Sequence, residues 1–169
     1  GRQGGDGLGD LDDLELVECA ALIAEPGCEH QGTHADYRRV VAQGEVPKSA
    51  RLPPRLVAFL YLQDTPSAEW GATHFLPGTS TAQAHSRFFE AGETGQAEVR
   101  SATLSCGDVA LYDASVLHFG GANRVPGNTR VIWYIGAARK GEAARLAAGS
   151  ATATPGLQAA PPISFKSFL

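Results

Sequence analysis

Two histidines and one carboxylate in this chain have the types and spacing to hold a metal ion. His34 and Asp36 lie in Thr33-His34-Ala35-Asp36-Tyr37, and His118 lies in Leu117-His118-Phe119-Gly120-Gly121. In an extended strand, residues i and i+2 point to the same side. His34 and Asp36 can therefore reach one ion with Ala35 turned away, and a distant histidine supplies the third ligand. A 2-His-1-carboxylate set occupies one face of an ion. It leaves the other face for a bidentate co-substrate and O2, the arrangement of non-haem Fe(II) oxygenases. Alone, H-x-D is a weak pattern, because a loop histidine bonded to a neighbouring aspartate gives the same string. His118 alone reads equally well as a core histidine. A zinc reading pairs His30 with His34 at i,i+4 on a helix. Glu29 precedes His30 instead of following it, and Gly32 between the histidines disfavours a helix.

Arg130 opens the strongest apolar segment, which runs on through Val131-Ile132-Trp133-Tyr134-Ile135. Arginine is rarely buried unpaired, and a guanidinium matches a carboxylate bidentately. The sequence thus predicts that Arg130 anchors the distal carboxylate of 2-oxoglutarate while the 2-oxo acid end chelates the metal. The competing reading is a strand-start charge facing solvent. Gly120 and Gly121 beside His118 let backbone or ligand approach closely. Gln31, Tyr61 and Thr73 are candidate lining residues, with Gln31 and Thr73 assigned to the cofactor. Thr73 and His74 alternate along one strand, so at most one of them faces the metal. Trp70 and Trp133 read as core, and Asn123 and Asn128 as turn residues.

The elements that must position these residues are short. Apolar segments at 18–24, 32–37, 55–63, 72–76, 108–112, 115–119 and 129–137 read as strands, with 97–104 alternating. The run Leu56-Val57-Ala58-Phe59-Leu60-Tyr61-Leu62 fits a strand buried on both faces. Pro26-Gly27 and Pro77-Gly78 mark turns. Thr79 or Ser80 is placed to cap a helix reaching about Glu90. The segment 43–54, with three prolines, reads as a loop. Strands with turn signals at this spacing predict an antiparallel sandwich or barrel.

The 169 residues suit one domain, with 20 glycines and 10 prolines among them. Net charge is −4 and no basic run of five or more occurs, which argues against nucleic acid and anionic membranes as partners. No apolar run approaches the roughly 20 residues of a membrane span. Residues 1–13 lack the pattern of a signal peptide, so the default placement is cytoplasmic. Cys19, Cys28 and Cys106 form no C-x-x-C pair, and three reduced thiols is the simple reading. Residues 1–13 read as a disordered lead-in, 14–139 as the domain and 140–169 as a loose tail. Within that tail, 142–148 suits a short helix and 163–169 carries two phenylalanines that dock or fray.

Three segments carry a resemblance: ALIAEPGCEHQGTHADY (21–37), FLYLQDTPSAEWGATHFLPGTS (59–80) and GDVALYDASVLHFGGANRVPGNTRVIWYI (107–135). They resemble the phytanoyl-CoA dioxygenase-like family of Fe(II)/2-oxoglutarate oxygenases. The resemblance implies a mostly β, double-stranded β-helix (jelly-roll, cupin-like) fold with a few short helices. It implies His34, Asp36 and His118 as the metal triad, Arg130 as the co-substrate anchor, and Fe(II) and 2-oxoglutarate as cofactor and co-substrate. The implied reaction is hydroxylation of a small organic substrate by O2, with succinate and CO2 as co-products. Asp36 fills the position that related halogenases leave to chloride, which favours hydroxylation. The family's segment around Pro77-Gly78 carries a histidine that is absent after Ser80, which leaves His85 without an assigned role. Only 33 residues precede His34, so the chain is expected to lack part of the family's N-terminal region. The alternative function is a catalytically silent β-helix domain that binds metal or a ligand. A cupin-like isomerase or zinc protein is disfavoured by the missing His-x-His pair.

Overall fold

Apolar alternation builds two antiparallel sheets. The larger contains β1 (Leu14–Ala24), β2 (Arg55–Tyr61), β5 (Val109–Asp113), β7 (Arg130–Arg139) and β8 (Ile163–Ser164), in the order β5-β2-β7-β1-β8. The smaller contains β3 (Thr73–Phe75), β4 (Arg100–Ser101) and β6 (His118–Gly120), in the order β4-β3-β6. One helix, α1 (Ala82–Glu90), lies between β3 and β4 in the chain. The structure is a computed structural model and describes residues 14–37, 55–90, 98–140 and 163–164. The lead-in at 1–13, the loop at 43–54 and the helix expected at 142–148 lie outside the described residues, as does most of the tail.

The core sits on the inner face of the larger sheet. Val57, Phe59, Tyr61, Tyr112, Ala114, Ile132 and Tyr134 form one buried cluster, with Phe75 of the smaller sheet packed against it. Burying each of the larger of these side chains contributes about 1.5–3 kcal/mol. The two sheets enclose this cluster, the layout of a double-stranded β-helix.

β2 corrects one expectation. Val57, Phe59 and Tyr61 are buried, but Leu56, Ala58 and Leu60 are only half covered. A continuous apolar string is here a one-sided strand. Trp133 is a second correction: it is 47% exposed and lies on the outer face, because Ile132 and Tyr134 claim the inner positions of β7. The segment 97–104 yields only the short β4, and 32–37 only one isolated bridge. β1 is longer than expected, since Leu14–Leu16 extend its pairing with β7.

The helix is capped by Thr81, whose hydroxyl accepts a hydrogen bond from the Ala84 amide at 3.1 Å. Thr79, one of the expected caps, instead donates to the Leu76 carbonyl (2.6 Å) and accepts from the Leu117 amide (2.9 Å). Leu76, Phe88 and Leu117 pack together and fix α1 against the segment leading into β6. His85 adds a buried bond from its ring N–H to the Ser115 carbonyl at 2.8 Å. Its role is thus to hold the turn that precedes His118. Among the described residues no helix is long and apolar enough to cross a membrane.

Candidate metal centre

His34 and His118 are brought together by backbone pairing. Each amide bonds the other residue's carbonyl, at 2.9 Å and 2.8 Å. A reciprocal pair of this kind places both side chains on one face. The ring centroids are 4.5 Å apart. Bonds from the Gln31 amide to the Gly120 carbonyl and from Tyr37 to Ala114, both 2.9 Å, hold the flanks. The segment 31–37 thus runs along β6 as an extra, irregular edge of the smaller sheet.

The i,i+2 rule then delivers Asp36. Its Oδ1 lies 3.9 Å from His34 Nε2 and its Oδ2 lies 3.6 Å from His118 Nε2. One ligand atom from each of the three residues falls within 4.8 Å of the others. Both imidazoles are pinned from behind. His34 Nδ1 lies 2.9 Å from the Gly32 carbonyl, and His118 Nδ1 lies 3.0 Å from the Val116 carbonyl. A carbonyl can only accept, so each Nδ1 carries the proton and each Nε2 keeps its lone pair for a metal. Burial holds the His118 imidazole below its ordinary pKa, against the opposing pull of Asp36. The neutral ring is the ligand form.

Tyr112 was not singled out by the sequence, where it is one apolar residue in a strand. Its hydroxyl donates to Asp36 Oδ2 at 2.9 Å. Burial first, and Asp36 second, push its pKa well above the ordinary tyrosine value, so it stays a donor. Phe59, Phe75 and Tyr112 surround the His118 ring at centroid distances of 6.4, 5.8 and 5.1 Å. The His118 ring therefore has an aromatic wall.

Arg130 is 6% exposed, and its Nε has no hydrogen-bond partner. Among the described residues no carboxylate pairs with it. Burial lowers its pKa, and Tyr61 and Cys28 draw it back; a guanidinium nevertheless stays charged. The buried Tyr61 hydroxyl lies near Thr73 and Arg130 without reaching hydrogen-bond geometry. Thr73 and Phe75 share the inner face of β3, and Phe75 touches the His118 ring. A line of contacts therefore leads from the triad through Thr73 and Tyr61 to Arg130. The chemistry of the donor set fits Fe(II), and a buried guanidinium with no carboxylate beside it among the described residues fits a dicarboxylate.

The remaining sequence candidates fall into place around this line. Thr73 is buried, whereas His74 faces outward, stacks on Phe119 at 4.7 Å and bonds Ser101. Gln31 is exposed, and its Oε1 accepts from the Gly120 amide at 2.8 Å, which places it at the rim. His30 lies against Phe119 and is not brought to the triad. Asn123, read from sequence as a turn residue, is fully buried. It donates to the carbonyls of Ala24 (2.9 Å) and Asn128 (2.6 Å) and so fixes the loop that delivers Arg130.

Residues 16–131 match the family described as Phytanoyl-CoA dioxygenase (PhyH). No curated protein matches the chain. Several solved structures share its fold. AviO1 from Streptomyces viridochromogenes Tue57 is 19% identical with a TM-score of 0.57, over 88% of this chain and 54% of its own. HygX from Streptomyces hygroscopicus, with nickel and 2-oxoglutarate bound, is 18% identical with a TM-score of 0.56, over 76% and 57%. SnoK, a non-heme alpha ketoglutarate dependent carbocyclase from nogalamycin biosynthesis, is 16% identical with a TM-score of 0.57, over 89% and 60%. The chain thus spans less than two thirds of the length of each of these three. The chain belongs to the phytanoyl-CoA dioxygenase family and has the fold of its Fe(II)/2-oxoglutarate oxygenases.

Proposed function

We propose that residues 14–139 form an Fe(II)- and 2-oxoglutarate-dependent dioxygenase domain. It hydroxylates a small organic substrate with O2 and yields succinate and CO2. The observation that carries this reading is the convergence of His34, Asp36 and His118 within 4.8 Å, with both Nδ1 atoms committed to backbone carbonyls. Bound iron would supply O2 activation coupled to decarboxylation of 2-oxoglutarate. The chain's own part is positional. His34 and His118 bind through Nε2 and Asp36 through its carboxylate. Tyr112 orients Asp36. Arg130 pairs with the distal carboxylate of the co-substrate, with Thr73 beside it and Gln31 at the rim. Phe59 and Phe75 keep water from the reacting face.

Hydroxylation is the finer part of the proposal. Asp36 supports it, because its carboxylate takes the position a halide would need. SnoK is named a carbocyclase and SnoN an epimerase, so this fold also serves other outcomes. A second reading, metal or ligand binding without turnover, is favoured by the 40% exposure of the His34 side chain. Succinate release decides between them. The chain is loaded anaerobically with Fe(II) and 2-oxoglutarate and then exposed to O2. The oxygenase reading expects succinate in the wild type and at least a 100-fold loss in His34→Ala and Asp36→Ala. Equal release from the variants, or none from the wild type, sinks it.

A further inference from the structure

A second polar cluster lies on the inner face, away from Arg130. Arg55 Nη2 bonds Glu18 Oε2 at 2.5 Å and the Tyr134 hydroxyl at 3.2 Å. Tyr134 in turn donates to Glu18 Oε2 at 2.8 Å. The cluster joins the metal centre through aromatic rings: Phe59 touches Tyr134 at 5.5 Å and Tyr112 at 5.1 Å, and Tyr112 bonds Asp36. Registers put the two arginines at opposite ends of the sheet. Arg55 faces Ala138, while Tyr61, beside Arg130, faces Ile132. At about 3.3 Å per residue, Arg55 and Tyr61 lie roughly 20 Å apart along β2. The triad stands between them.

Two local devices create this cluster. The pairing of β1 with β7 slips between Leu16 and Glu18. A bulge re-aims the residue beside it, and here that residue is Glu18. Opposite Glu18 stands Gly136, where an added Cβ would lie 3.3 Å from Glu18 Cβ, 3.4 Å from Arg55 Nη2 and 3.6 Å from the Tyr134 hydroxyl. The missing side chain leaves room for the three polar heads. The cluster is also incompletely satisfied. Arg55 Nε is buried without a partner. The Glu18 side chain is 36% exposed, and its Oε1 has no bond among the described residues.

Resting on the oxygenase reading, we propose that Glu18, Arg55 and Tyr134 form the substrate-side subsite, and that they receive an uncharged, hydroxyl-bearing group. The charges of Arg55 and Glu18 cancel, so nothing there attracts an anion, in contrast to Arg130. A hydroxyl both donates and accepts, which matches one open carboxylate oxygen beside a guanidinium. An acyl chain laid against the same groups would desolvate them without compensation.

Calorimetric titration of the full chain tests this, with methyl α-D-glucoside and myo-inositol as hydroxylated probes, octanol as the apolar probe and inorganic phosphate as the anion. Each is titrated into metal-free protein and into anaerobic protein loaded with Fe(II) and 2-oxoglutarate. A hydroxylated probe is expected to bind, at least 10-fold more weakly in Glu18→Gln and in Tyr134→Phe, with 2-oxoglutarate affinity unchanged. Tyr134→Phe removes one oxygen only and keeps the test open where Glu18→Gln does not fold. Binding of octanol or phosphate alone, binding of no probe, or equal binding by folded variants overturns the subsite. Failure of 2-oxoglutarate to bind the Fe(II) protein overturns the oxygenase reading instead, and the metal-free titration separates the two.

Discussion

Arg130 and Arg55 occupy opposite ends of one sheet and have opposite surroundings. Arg130 is almost fully buried, with no carboxylate beside it among the described residues. Arg55 is bonded to Glu18 and Tyr134. A buried cation left unpaired is costly in the empty protein and well prepared for an incoming anion. A neutralised one contributes to the fold and has little affinity for charge. On the proposed reading, the same residue type marks the co-substrate end in one place and a strand-holding, hydroxyl-matching end in the other. Type alone does not tell them apart; the partner does.

The largest expected effect separates the two by function. Arg130→Gln should weaken 2-oxoglutarate binding by about 2–5 kcal/mol, roughly 30- to 4,000-fold. It should leave the thermal midpoint of the ligand-free protein unchanged or raised, because no carboxylate partner among the described residues is lost. Calorimetry and a thermal melt measure both, and a large loss of stability would show that Arg130 has a structural partner. Arg55→Gln should do the reverse. Breaking a buried pair costs about 3–5 kcal/mol, and the exposure of Glu18 reduces this to about 2–3 kcal/mol. Denaturant unfolding gives the value, with 2-oxoglutarate affinity retained.

A glycine beside each arginine sharpens the contrast. Gly71 has φ +75°, and an added Cβ would meet Asn123 Cβ at 3.2 Å and Arg130 Nε at 3.5 Å. Gly71→Ala should cost about 1–3 kcal/mol through backbone strain and weaken 2-oxoglutarate binding as Arg130 shifts. Gly136 has no left-handed φ to strain, so in Gly136→Ala the added Cβ meets only contacts, at 3.3 Å with Glu18 Cβ, 3.4 Å with Arg55 Nη2 and 3.6 Å with the Tyr134 hydroxyl. About 1 kcal/mol or less is expected there, with no change at the co-substrate end.

The smallest effect is alkaline. Tyr61 at one end and Tyr134 at the other both have pKa values raised chiefly by burial above the ordinary 10.0. Above pH 10 the unfolded chain loses these protons while the folded one keeps them. Their contribution to stability should thus be level below pH 10 and fall as pH rises beyond it. Tyr134→Phe should flatten part of that slope in a pH series of unfolding curves.

How much of this was legible in the sequence varies with the range of the contacts. The spacing of His34 and Asp36 was legible because the i,i+2 rule is local, although the segment forms a bridge and not a full strand. Arg130 was legible as a cation in an apolar string. Tyr112 was not, since its bond to Asp36 spans the chain and its strand reads as plain core. Asn123 sits in turn-like surroundings, and its bond to Ala24 leaves no local trace. Arg55 and Glu18 look like strand-end charges until the bulge at Leu16/Glu18 turns one toward the other. Trp133 was misplaced because an apolar string does not say which parity faces inward.

The most direct test of the central claim is an anaerobic titration of the Fe(II)-loaded chain with 2-oxoglutarate, followed by the charge-transfer absorbance that forms when a 2-oxo acid chelates ferrous iron. The triad and Arg130 predict a saturable band with one co-substrate per chain, lost in Asp36→Ala and shifted to much higher 2-oxoglutarate concentration in Arg130→Gln. A wild type without the band, or an Arg130→Gln variant with unchanged affinity, would contradict the account.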